Sequence, residues 1–202
     1  MKIMNFTAYY LSCAKIIIDQ LYTTQIDHLV DLLVSLRQSN GRLFILGVGG
    51  GAANASHAVS DVRKLSGIQA YAPTDNIAEI TAITNDSGWS ATFIDWLTTS
   101  KLCGKDMVMV FSVGGGNEYY GLSPNIVDAL SLAGEVGATI CGIVGRNDGY
   151  TAQVADLCIV LPTIDSDLIT PLTESFQMLL WHLVVTHPLL QIDSPTWEAI
   201  AK

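Results

Sequence analysis

Short apolar runs that alternate with stretches of helical periodicity constrain the fold of this chain more than any other feature. Four runs span residues 43–46, 107–111, 139–144 and 157–161, and they are rich in Val, Ile and Leu without polar alternation. Strands of this kind are covered on both faces by helices, as in parallel sheets. A weaker strand is predicted over 69–72. The pattern therefore predicts an α/β fold with a doubly wound, five-stranded parallel sheet.

Helical spacing before the first strand predicts an N-terminal helical hairpin over about 5–38, with Ile26, Leu29 and Leu33 on one apolar stripe. The α/β core is expected over about 42–190. Half of the 202 residues are hydrophobic, so a single domain with a large core is expected over 1–202. Helices within the core are predicted over 53–65, 77–84, 90–101, 124–137 and 171–186.

Composition excludes two classes of protein. A mean hydropathy of +0.38 with 14% charged residues excludes an intrinsically disordered chain. The net charge is −9, and the adjacent basic pair Arg63-Lys64 stands alone, so no cationic stripe is present to neutralise a phosphate backbone. Nucleic acid is therefore not expected as a partner.

Cysteine usage and apolar runs indicate a soluble cytoplasmic protein. Four scattered cysteines without a C-x-x-C pair are expected to be buried thiols in a reducing compartment. The N-terminal sequence does not have the pattern expected of a signal peptide. The apolar run from Met178 to Val185 is broken at His182 and falls short of the ~20 residues of a membrane span. No membrane partner is expected.

Two glycine-rich turns follow predicted strands. The first spans Gly47 to Ala52, and the second spans Ser112 to Asn117 and leads to a helix start at Ser123. In an open parallel sheet, ligands bind beyond the carboxyl ends of the strands. Glycines there expose backbone N–H groups, and the two serine hydroxyls add donors. Together the turns could enclose a phosphate.

Other interpretations of the first turn stay open. It fits G-x-G-x-x-A, the fingerprint of a dinucleotide site, but that site needs an acidic residue at the end of the next strand. The nearest candidate, Asp75, lies beyond Pro73, which disfavours a nucleotide cofactor. The glycines could also serve only a tight strand-to-helix turn, and the second cluster could be an ordinary loop.

His57 and Asp61 lie four residues apart on a predicted helix, which places both side chains on one face. A histidine beside a carboxylate suits acid–base chemistry or metal binding. The alternative is structural. His57 could hydrogen-bond at a helix interface, and His182 could be a satisfied histidine of the core.

Several short segments occur in a distinctive order, and through them the chain resembles the sugar isomerase (SIS) family, within it the phosphoheptose isomerase group. The resemblance covers about Leu43 to Leu189 and implies a flavodoxin-like SIS domain. It also implies an aldose–ketose isomerase that acts through an enediol, with sedoheptulose 7-phosphate as the expected substrate. The matching segments are 47–50 with 54–57, 84–88, Ser112 with 123–126, 142–145 and 148–149.

The resemblance implies roles for individual residues. Asp61 would be the catalytic base and His182 the acid, and His57, Asp61, Glu174 and His182 could hold a divalent metal such as zinc. The residues expected to bind the sugar phosphate are Gly50, Gly51, Ala52, Asn54, Asn85, Asp86, Ser112, Gly114, Gly115, Asn117 and Ser123.

The chain departs from the family pattern at specific positions. Val48 and Gly51 stand where relatives carry Asn and Ser, and residues 116–122 open the second turn. Asp61 replaces a Glu, and Glu174 replaces a neutral Gln. These departures leave open a second class of function, a non-catalytic regulatory protein that binds a phosphosugar.

Glu174 and His182 lie eight residues apart, which is about 12 Å along a helix. That spacing is too long for both to reach one small ligand from the same chain. We therefore expect a homo-oligomer, a dimer or tetramer, with an active site shared between subunits.

Overall fold

Five parallel strands form one sheet in the order β2-β1-β3-β4-β5 in the computed structural model, which describes residues 5–192. This arrangement confirms the predicted fold class. The short β2 strand lies at one edge, where it pairs with β1 alone. The strands are β1 (Arg42–Gly47), β2 (Gln69–Tyr71), β3 (Met107–Ser112), β4 (Thr139–Val144) and β5 (Leu157–Val160).

Helices precede the sheet and connect its strands, and the predicted N-terminal hairpin is confirmed. One short helix, α7, was not predicted, because five residues are too few to show a helical period. The helices are α1 (Phe6–Gln20), α2 (Thr23–Gln38), α3 (Gly50–Ser66), α4 (Ile77–Ser87), α5 (Ala91–Thr99), α6 (Pro124–Glu135), α7 (Tyr150–Val154) and α8 (Ile169–Val185).

The sheet is buried on both faces. Along β1, Leu43 and Ile45 belong to the core shared with α1, α2, α3 and α8, whereas Phe44 and Leu46 belong to the core shared with α5 and α6. Alternate side chains of a strand point to opposite faces. Because both faces meet helices, the central strands show no polar alternation in the sequence.

The apolar stretch that contains α8 is longer than the run from Met178 to Val185 on which the sequence prediction was based. The stretch Ser166–Val185 is long and apolar enough to span a membrane by length and composition, with a mean hydropathy of 1.2. Half of that stretch is buried inside the protein, against α3, α2 and the sheet. It therefore packs in this fold as a core helix beside the sheet.

An ion pair anchors the amino end of β1. The Arg42 guanidinium lies 2.6 Å from Asp106, which also accepts hydrogen bonds from the backbone N–H groups of Arg42 and Cys103. Burial alone would raise the pKa of the Asp106 carboxyl. These hydrogen bonds outweigh burial and hold its pKa below the usual value.

The cysteines are free, as expected, but they are not all buried. Cys13 and Cys141 are buried and Cys158 is half-buried, whereas Cys103 is exposed. The exposure of Cys103 corrects the sequence expectation. Its position in the loop between α5 and β3 carries no apolar period from which burial could have been judged.

Candidate functional site

The first glycine turn lies at the carboxyl end of β1, where the strand order changes direction and ligands of such sheets bind. Gly49 has φ +60° in open space, so the turn uses the left-handed conformation that glycine tolerates. A Cβ at Gly51 would collide with the carbonyl oxygen of Phe111 on β3. Close packing of α3 against the sheet is therefore one reason for glycine here.

The second turn follows β3 and is held by hydrogen bonds of its own. The Gly115 N–H donates to Ser112 Oγ at 3.0 Å, and Thr151 Oγ1 donates to the Gly115 carbonyl at 2.7 Å. Ser123 precedes α6 with φ +48° and makes no side-chain cap bond to that helix. The two serines thus flank a preorganised loop.

A cavity of about 200 Å³ lies between the two turns. Four of the residues predicted to bind the sugar phosphate line it, namely Gly51 from the first turn and Ser112, Gly114 and Ser123 from the second. The cavity is also closed by side chains from α8. Its lining consists of Val48, Gly51, Ser112, Val113, Gly114, Ser123, Glu174 and Gln177.

Helices α3 and α8 run parallel and are joined by a buried amide network. Asn54 Nδ2 donates to the Glu174 carbonyl at 2.9 Å and to Gln177 Oε1 at 3.2 Å. Gln177 Nε2 donates to the Ile143 carbonyl on β4 at 2.9 Å. Both amides are almost fully buried, so the network fixes α8 against α3 and the sheet. Asn54, expected to bind substrate, is engaged in this network.

Glu174 lies at the start of α3 rather than beside the histidines. A Cβ added at Gly50 would collide with its carboxylate, and the side chain lines the cavity between the turns. Glu174 is therefore not part of the group formed by the other predicted metal ligands in this chain.

Those other ligands meet further along the same two helices. His182 Nε2 lies 3.7 Å from Asp61 Oδ2, and His57 Nε2 lies 3.9 Å from the same oxygen. The three residues offer ligand atoms that all lie within 4.8 Å of one another. Asp61 is buried, whereas both histidines are partly exposed. Two imidazoles and one carboxylate are a donor set that suits zinc with a coordination position left open.

Trp181 borders this group and was missed by the sequence reasoning. Its ring centroid lies 4.7 Å from that of His57. Gln177 was missed as well. The available signal for Gln177 was a polar residue three positions after Glu174 and directly before the apolar run from Met178 to Val185, whereas nothing distinguished Trp181 from an ordinary core aromatic.

The remaining predicted site residues lie outside the cavity between the turns. Asn85 and Asp86 are exposed at the end of α4, where Asn85 Nδ2 donates to Asp86 Oδ1 at 2.8 Å. Asn117 pairs with Leu122 in a small hairpin. Gly50, Ala52 and Gly115 belong to the turns without lining the cavity.

The cavity and the His–Asp group are separated along the helices. Asp61 follows Gly51 by ten residues and His182 follows Glu174 by eight. At 1.5 Å per residue, these intervals correspond to about 15 Å and about 12 Å. Within one chain, a phosphate in the cavity therefore lies far from the His–Asp group.

Comparisons with known proteins agree with this architecture, although no protein-family model matches the chain. Phosphoheptose isomerase of Pelobacter propionicus is 29% identical over 163 residues, covering 78% of this chain and 80% of that protein. The solved phosphoheptose isomerase of Francisella tularensis superposes with a TM-score of 0.76 at 21% identity, covering 92% and 96% of the two chains. The solved phosphoheptose isomerase of Neisseria gonorrhoeae superposes with a TM-score of 0.75 at 22% identity, covering 88% of this chain and 93% of that chain.

The five-stranded parallel sheet and the N-terminal helices are the fold that this chain shares with the two solved phosphoheptose isomerases. In sequence, the chain is similar over more than three quarters of its length to relatives named phosphoheptose isomerase.

Proposed function

We propose that this protein is a sugar-phosphate isomerase that interconverts an aldose phosphate and a ketose phosphate, with sedoheptulose 7-phosphate as the ketose. The observation that carries the proposal is the approach of His182 to Asp61, at 3.7 Å, from two separate helices. Relatives named phosphoheptose isomerase, about 29% identical, support the reaction class.

Isomerisation through an enediol moves a proton between adjacent carbons, which requires a base, an acid and polarisation of the carbonyl. In our proposal Asp61 removes the proton and His182 protonates the carbonyl oxygen. The two groups lie close enough to act on neighbouring atoms of one substrate. The exposed edges of His182 and His57 leave that substrate a path to the pair.

His57, Asp61 and His182 are also the residues that would hold a divalent metal. Zinc bound there would polarise the substrate carbonyl as a Lewis acid. Glu174, the fourth predicted ligand, lies over Gly50 in the same chain and would have to come from another subunit. Elemental analysis of protein purified without chelators tests whether a divalent metal is bound.

We further propose a homo-oligomer whose subunits share the active site. Met178, Leu179 and Leu183 are each about 40% exposed on α8, on the side that also carries His182. A second subunit that covers this apolar face would also cover the His–Asp group. The separation of about 12–15 Å within one chain is then bridged if the cavity between the glycine turns is supplied by the partner.

A panel of aldose and ketose phosphates, assayed for interconversion and for thermal stabilisation, tests the proposed function. Conversion of sedoheptulose 7-phosphate supports the isomerase. Stabilisation by a sugar phosphate without any turnover would instead select the regulatory phosphosugar-binding protein. We place either protein in the cytoplasm, on the composition and the reduced cysteines.

A further inference from the structure

The cavity between the glycine turns is lined by a negatively charged side chain, whereas a phosphate site is expected to have positive or neutral donors. Of the residues that line it, only Glu174 is ionisable, and no Lys, Arg or His is among them. The two hydroxyl donors, Ser112 and Ser123, face the same space of about 200 Å³. A phosphate bound by these serines therefore lies close to a carboxylate.

The carboxylate of Glu174 occupies the place where an anion would otherwise meet α3. The amino end of a helix attracts negative groups. Here Glu174 covers Gly50, the first residue of α3, so closely that a Cβ on that glycine would collide with the carboxylate. The amino end of α3 thus already has a negative group beside it, the carboxylate of Glu174.

The backbone beneath this carboxylate is fixed. The Glu174 carbonyl accepts from Asn54 Nδ2 at 2.9 Å, and Gln177, one turn later, donates to the Ile143 carbonyl at 2.9 Å. Neither amide can leave its partner without exposing a buried polar group. Movement of Glu174 away from the cavity is therefore confined to its own side chain.

We infer that Glu174 is a specificity-determining residue, which accepts hydrogen bonds from sugar hydroxyls and repels any second anion from the cavity. The inference rests on the proposed function, because it takes a sugar phosphate as the ligand. The chemistry selects a polyhydroxylated monophosphate, bound by its phosphate at Ser112 and Ser123 and by a neighbouring hydroxyl at Glu174. Inorganic phosphate and sugar bisphosphates are bound less well.

The test is the Glu174→Gln variant, whose affinities for inorganic phosphate and for sedoheptulose 7-phosphate are measured by calorimetry. Removing one like charge from beside the anion is expected to tighten inorganic phosphate binding about tenfold at low salt. That gain should shrink as sodium chloride is added, because salt screens the repulsion. The affinity for the sugar phosphate should increase little, since the sugar loses a hydrogen bond to a charged acceptor. Selectivity for the sugar phosphate therefore falls about tenfold.

Two further variants complete the experiment. Glu174→Ala removes the charge without adding an amide donor and should show the same tightening of phosphate. Glu135→Gln is the matched control, since it removes an exposed carboxylate at the far end of α6 and should change neither affinity. Unchanged phosphate affinity or selectivity in Glu174→Gln, no measurable phosphate binding, or an equal gain in Glu135→Gln overturns the inference. Absence of sugar-phosphate turnover by the unmodified protein counts against the proposed function alone.

Discussion

His182 Nε2 lies 3.7 Å from Asp61 Oδ2 within one subunit, so these two residues need no second chain to meet. This changes the form in which a shared active site can exist. In the proposed oligomer, the His–Asp group of one subunit would be combined with the cavity between the glycine turns of another, because Asp61 and His182 already meet within one chain.

The Asp61→Asn variant should keep its fold and its affinity for sugar phosphate while turnover falls about 10²-fold or more. The reason is that a positioned base acts on the transition state and not on the bound substrate. Steady-state kinetics and calorimetry on the same preparation measure the two quantities. Turnover within a factor of two of the unmodified enzyme would remove Asp61 from the mechanism.

Mixing of impaired variants, assayed at a substrate concentration too low for the double serine variant to bind, reports which residues act together. After subunit exchange, Asp61→Asn mixed with His182→Gln should stay inactive, because both residues belong to one His–Asp group. Asp61→Asn mixed with a Ser112→Ala/Ser123→Ala double variant should recover activity, roughly a quarter of the unmodified level for a randomly mixed dimer. Recovery in the first mixture and none in the second would contradict the arrangement.

The serines that flank the second turn should contribute to phosphate affinity. Ser123→Ala is expected to weaken sugar-phosphate binding by about 1–3 kcal/mol, as for a lost hydrogen bond to a charged group. Ser112→Ala should weaken it at least as much, because Ser112 Oγ also accepts from the Gly115 N–H. Calorimetric titration measures both, with Ser12→Ala on the exposed side of α1 as the control. Unaltered affinity in both variants would place the phosphate elsewhere.

Asp106→Asn should destabilise the fold by about 2–3 kcal/mol, near the low end for a broken buried pair, because the Arg42 side chain is 27% exposed. The pKa of Asp106 is lowered in the folded state. Its contribution is therefore present above the unfolded pKa and is lost as the pH falls through the folded pKa. In urea unfolding, the difference in the free energy of unfolding between Asp106→Asn and the unmodified protein should decrease below about pH 4. The control variant Asp27→Asn should have the stability of the unmodified protein at every pH.

Thiol labelling at pH 8 should modify Cys103 first. Burial raises the pKa of Cys141 to about 12, with a smaller effect from the Asp156 charge, and burial raises the pKa of Cys158 to about 11. Both thiols therefore stay protonated and react slowly. Mass spectrometry after brief labelling identifies the sites, and rapid labelling of Cys141 in the folded protein would show that its strand is accessible.

The sheet could be predicted from the sequence because burial on both faces leaves an unbroken apolar signature in each central strand. The short β2 strand, with its middle residue alone buried, gave a weaker signal. Helix α7 is fixed by tertiary contacts rather than by its own period, such as the bond from the Thr151 N–H to Gly115. Local pattern could not have revealed it.

The His–Asp group could be anticipated in part. The four-residue spacing placed His57 beside Asp61, because both lie on one helix. That His182 reaches the same carboxylate depends on how α8 packs against α3, which Gln177 and Asn54 determine through buried hydrogen bonds. Such long-range pairings leave no periodic trace in a single sequence. The same packing places Glu174 in the cavity between the turns.

Gly51 is seated against the Phe111 carbonyl with no room for a side-chain atom. The family resemblance implies a Ser at this position, so Gly51→Ser suggests itself as a conservative change to the turn. In this protein the added side-chain atoms would collide with the Phe111 carbonyl oxygen and push α3 away from β3. Engineering of substrate preference at this turn must therefore begin with the packing of α3 against β3, since α3 also carries His57 and Asp61.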